Sequence, residues 1–94
     1  MTTRIFKYPL GFDDDQVVAL HTGFEILCVQ VQNDIPTLWA VVDPDMPSRS
    51  IRVWMIPTGN YPYRMGKSTY IGTAQLNGGR LVGHFFYQVL DDDD

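Results

Sequence analysis

From Glu25 to Leu90 the chain runs in short stretches of period-two alternation, broken by turn formers at roughly ten-residue intervals, and no long stretch carries a 3.6-residue apolar stripe. That punctuation excludes a helical bundle and demands strands. Between Glu25 and Gln32, Leu27, Val29 and Val31 line one face while Cys28, Gln30 and Gln32 line the other, the pattern of a half-buried strand. Asn33-Asp34 tolerates left-handed backbone, so Pro36 to Val42 is expected to return as the second arm of a hairpin. Asp43-Pro44-Asp45-Met46-Pro47 is a further turn, and Ser50 to Ile56 is a strand of β-branched and aromatic residues. Thr69–Leu76 and Arg80–Leu90 flank Asn77-Gly78-Gly79, whose glycines supply the positive φ of a tight turn.

The remaining segments are less regular. Arg4 to Leu10 is a short β-like run closed by Pro9, and Asp13-Asp14-Asp15 reads as a turn or helix N-cap before one or two helical turns to Leu20. Gly59, Asn60, Pro62 and Gly66 make Pro57 to Lys67 the longest loop. Six to seven strands on this spacing predict an all-β fold, a small antiparallel β-sandwich or barrel with β-hairpins and little helix. Ninety-four residues, 45% of them apolar, support one core. The expected organisation is a single β domain over residues 1–90 with an acidic tail over 91–94. Leu27, Val29, Val31, Leu38, Ala40, Val53, Ile71, Leu81, Phe85 and Val89 are the expected core.

Two strands are apolar on both faces. On Arg80–Leu90, Leu81, Phe85, Tyr87 and Val89 alternate with Val82, Phe86 and Leu90, and on Leu38 to Val42 the set Leu38, Ala40 and Val42 is backed by Trp39 and Val41. A one-layer antiparallel sheet leaves one face in water, so such strands need a second cover: a loop, the opposite sheet or another copy of the chain. A homodimer, through Phe86 and its neighbours or through an exposed edge strand, is one expected partner arrangement.

Charge divides the chain. No Asp or Glu occurs between Met46 and Leu90, while Arg49, Arg52, Arg64, Lys67 and Arg80 all fall there. The whole chain carries a formal charge of −4, so a basic half sits inside an acidic molecule. Tyr61, Tyr63, Arg64 and Lys67 in the long loop, with Arg49 and Arg52 on the preceding strand, form the candidate partner-binding surface. Tyrosine interleaved with cations is the composition of protein hot spots and of single-strand nucleic-acid surfaces alike. The net negative charge favours a protein with an acidic surface over nucleic acid.

Motifs for chemistry are weak. His21, His84 and Cys28 are the soft metal ligands and lack paired spacing, so no metal and no cofactor is expected. A Cys28 nucleophile with a His84 base needs the polar faces of two strands to meet; a small buried thiol and a surface or core-edge histidine is the plainer account. Gly66-Lys67-Ser68 has the letters of a phosphate loop without its upstream glycine or its helix. The lone cysteine requires no oxidising compartment, and no apolar run reaches signal-peptide or membrane length, so a cytoplasmic protein is expected.

The segments Ile5-Phe6-Lys7-Tyr8-Pro9-Leu10, Glu25 to Asn33, Leu38 to Pro44 and Tyr70 to Gly79 resemble a family of short proteins encoded in bacteriophage and prophage genomes, a domain of unknown function. The resemblance runs from Ile5 to about Val89 and implies a small β domain of phage origin, for which the bacterial host cytoplasm is the expected place of action. It brings no catalytic or binding residues with it. The resulting expectation is a non-enzymatic interaction protein that binds a host protein, inhibiting a defence system or redirecting a host factor. The alternative is a small β-barrel that binds single-stranded nucleic acid through residues 46–90.

Overall fold

A computed structural model describes residues 2–11 and 14–90. Among these residues seven strands follow one another: β1 (Arg4–Pro9), β2 (Asp15–His21), β3 (Glu25–Gln32), β4 (Ile35–Val42), β5 (Ser48–Pro57), β6 (Thr69–Leu76) and β7 (Leu81–Val89). Two antiparallel sheets result, one ordered β1-β4-β3 and the other β2-β5-β7-β6. The only helical geometry among the described residues is two single 3-10 turns, Met65–Lys67 and Asn77–Gly79. The fold is all-β, as the alternation requires.

The turns follow their residues. Asn33 and Asp34 both have positive φ, 52° and 64°, and Gln32 pairs with Ile35, which makes a two-residue hairpin of the kind that matches strand twist. Asn77, Gly78 and Gly79 also sit at positive φ, and Leu76 pairs with Leu81 across that turn. At Asp43-Pro44-Asp45, the Asp43 carboxylate accepts the Asp45 amide at 3.0 Å and the Asp43 carbonyl accepts the Met46 amide at 3.0 Å.

The core lies between the sheets. Val29, Leu38, Ala40, Val42, Ile51, Val53, Ala74 and Phe85 are buried there, with Leu10 and Leu20 closing its sides. Val31 and Ile71 pack against it half-buried. The edge strands β3 and β6 come together at one side, and the absence of a side chain at Gly72 allows this: a Cβ there would stand 3.3 Å from Val29 Cγ1. Gly83 plays the same part inside its sheet, since a Cβ would meet Met55 Cγ at 2.6 Å.

Three expectations need correction. Leu27 is 44% exposed, because the register shifts between Ile26 and Cys28; Leu27 is the extra residue of a β-bulge, and Ile26 takes the inward position. Val89, at the end of β7, is 36% exposed. Asp15 to His21 is a strand rather than helical turns, since its residues pair one for one with Trp54 to Ser48. Tertiary pairing outweighs the local acidic cap signal, whose first residue, Asp13, lies outside the described residues.

Candidate functional site

β5 is two-sided for a structural reason. Ile51 and Val53 point into the core, whereas Trp54 and Ile56 are buried without belonging to it. They lie on the outer face of the four-stranded sheet, where Trp54 pairs with Phe86 and Phe86 with Tyr70. Their rings form a row: Trp54 and Phe86 stack at 6.2 Å, and Phe86 meets Tyr70 at 5.6 Å. The loop between β5 and β6 folds back over this row. Tyr63 stacks on Trp54 at 6.4 Å, and the Arg64 guanidinium lies 5.6 Å from the Trp54 ring and 5.2 Å from that of Tyr63. A loop of the same chain is therefore the second cover for Trp54.

One carboxylate fixes the arrangement. Asp15, at the start of β2, accepts from Arg64 at 2.5 Å and from Arg52 at 3.1 Å. Burial would raise the Asp15 pKa, but hydrogen bonds and charge from Arg64 and Arg52 outweigh it and hold the carboxyl below its ordinary value. Arg64 takes a left-handed conformation, φ 59°, to reach this position. Beside the rings, His84 shares hydrogen bonds with Thr58 (2.6 Å) and Thr73 (3.0 Å), and Thr73 shares one with Tyr70 (2.5 Å). The loop is thus tied to β6 and β7 at its start and to β2 near its middle.

The candidate residues separate. Tyr63, Arg64 and Arg52 come together in this platform; Tyr61, 84% exposed, and Lys67, also exposed, lie elsewhere on the same loop. Arg49 is paired in register with Leu20 and falls on the opposite face of β5 from Arg52. Sequence reading missed Asp15, Trp54 and Tyr70 as members of this surface. The available signal was Trp54 and Ile56, apolar residues out of phase with Ile51 and Val53 on one strand. His84 and Cys28 lie in different sheets, His84 on β7 held by Thr58 and Thr73, and Cys28 on β3 opposite Trp39. They do not form a dyad.

Elsewhere, a cleft of about 540 Å³ opens at the end carrying the β3–β4 and β6–β7 turns, lined by Met55, Leu76, Leu81 and Phe85 with Asp14 and Asp34 beside them. Among the described residues no group of three or more His, Cys, Asp or Glu side chains could hold a metal ion. No helix among them is long and apolar enough to cross a membrane.

The architecture defines a two-sheet antiparallel β-sandwich with a loop-capped aromatic platform on one outer face. The chain belongs to the family described as Domain of unknown function (DUF7352), which it matches over residues 1–93. No curated protein and no solved structure matches it.

Proposed function

We propose that this is a non-enzymatic, phage-encoded interaction domain whose platform binds a protein of the bacterial host, blocking a defence system or redirecting a host factor. The observation that carries the protein-binding reading is the pre-ordered stack of Arg64 and Tyr63 on Trp54, continued through Phe86 to exposed Tyr70, with exposed Tyr61 and Met65 on the same loop as Tyr63 and Arg64. Tryptophan, tyrosine and arginine are the residues in which interface energy concentrates, and a platform held by its own loop loses little entropy on binding. Arg52 and Arg64 share the Asp15 carboxylate, which lowers the positive charge they offer to phosphates and supports a protein partner over single-stranded nucleic acid.

The test is capture of a partner from host lysate by the chain and by a Tyr61→Ala, Lys67→Glu variant, with titration against single-stranded oligonucleotides at rising salt. The expected result is a specific protein captured by the wild type and lost with the variant, whose fold is unchanged by circular dichroism. Capture indifferent to both substitutions would move the site off the loop. Tight, steeply salt-sensitive oligonucleotide binding would establish the nucleic-acid alternative.

A further inference from the structure

Two sheets have four edge strands, and three of these are guarded against pairing. β3 and β6 each carry a bulge and lie against one another. β1 presents Lys7 and Pro9, a charge and a missing donor. β2 has no lysine, no proline and no bulge: Asp15-Gln16-Val17-Val18-Ala19-Leu20-His21 pairs with β5 without a register shift, and Val17 is 57% exposed. The phase of its hydrogen bonds is fixed at both ends. The Asp14 carbonyl accepts from Met55 at 2.8 Å, and the Thr22 amide donates to Pro47 at 2.7 Å. Even-numbered residues therefore face β5, and Asp15, Val17, Ala19 and His21 turn both N–H and C=O toward the free edge.

We propose that β2 is a homodimerisation edge, which pairs antiparallel with β2 of a second copy about a two-fold axis at Val18. The occupant follows from the strand's self-complementarity. An antiparallel ladder on this edge must set odd residues opposite odd residues, and the register that uses the whole strand places Val18 on the axis. That same register sets Val17 against the partner subunit's Ala19, covering exposed apolar surface. It also sets Asp15 against the partner subunit's His21. His21 Nδ1 donates to the Met46 carbonyl at 2.7 Å, so Nε2 can donate to a carboxylate when the ring is an imidazolium, and the Asp15 carboxylate has lone pairs beyond the two used by Arg52 and Arg64. The inference does not rest on the protein-binding reading of the platform.

Sedimentation of the purified chain should give twice the 10.7 kDa chain mass at high micromolar concentration. Val17→Lys, a change at an exposed position, should give a monomer with an unchanged circular dichroism spectrum. In a Cys28→Ser background, Val18→Cys should form a disulfide-linked dimer on oxidation, because directly opposed residues on the axis of a non-hydrogen-bonded pair lie about 4.5 Å apart at Cα, within disulfide reach. Ile5→Cys on the guarded edge β1 should not. A wild-type monomer at high micromolar concentration would overturn the proposal, and so would a dimer that survives Val17→Lys.

Discussion

Asp15 accepts two guanidinium groups at once, Arg64 at 2.5 Å and Arg52 at 3.1 Å, and its lowered pKa has a definite consequence for pH dependence. A carboxyl whose folded pKa is depressed contributes stability above its unfolded value, and that contribution disappears as pH falls through the folded value. The side chain keeps 30% of its exposure, so solvent screens the pair and the contribution is about 1 kcal/mol rather than that of a buried ion pair. Asp15→Asn should lower the melting temperature at neutral pH, and the gap to wild type should narrow as pH falls below about 4, the ordinary carboxyl value, and close only once pH lies below the lowered folded value, where the carboxyl is neutral in both folded and unfolded chains. A gap of equal size at both pH values would show that the ion pairs are not its source. Tyr8 offers the opposite case: its hydroxyl is buried with no hydrogen-bond partner among the described residues, and burial raises its pKa. Removing an unsatisfied buried group relieves a desolvation cost, so Tyr8→Phe should leave stability unchanged or raise it by up to about 1 kcal/mol in denaturant titrations.

At the scale of elements, the β3–β4 hairpin holds Asp34 at φ 64°, a conformation that costs an L-residue other than glycine roughly 1 kcal/mol. Asp34→Gly produces the Asn-Gly pair that two-residue hairpins favour and should stabilise the fold by up to about that amount. Both hairpin turns were legible because Asn33-Asp34 and Asn77-Gly78-Gly79 declare positive φ in their residue types. The faces were legible wherever alternation is unbroken, as at Val29, Leu38, Ala40, Val53 and Phe85. They were lost at the bulge, because an extra residue inverts the phase without any change of composition, and Leu27 is therefore exposed. Substitution separates the two cases: Phe85→Ala should cost about 3–5 kcal/mol and Leu27→Ala about 0.5 kcal/mol or less, measured by chemical denaturation. The platform was half legible, since the loop tyrosines and Arg64 stand out as a group. Its base did not, because Asp15 lies 49 positions from Arg64 and only the β2–β5 pairing brings it under the loop.

For the whole molecule, the two proposals meet on one face. Pairing β2 with β2 about an axis perpendicular to the sheet joins two four-stranded sheets edge to edge and leaves both outer faces on the same side. Each of those faces carries the Trp54, Tyr63 and Arg64 platform, so the dimer presents two copies of it toward one partner surface. A partner held on a dense surface is then engaged twice, and the second contact forms at the high effective concentration set by a rigid sheet rather than by bulk dilution. Val17→Lys should accordingly weaken apparent affinity for immobilised partner by about a hundredfold or more, at the low end of what bivalency supplies, while leaving the affinity for partner free in solution unchanged. Tyr61→Ala should weaken both by the same factor, because it acts at each contact and not on their number. Surface-binding kinetics and solution titration distinguish these outcomes, since equal loss in both formats for Val17→Lys would mean that β2 itself contacts the partner.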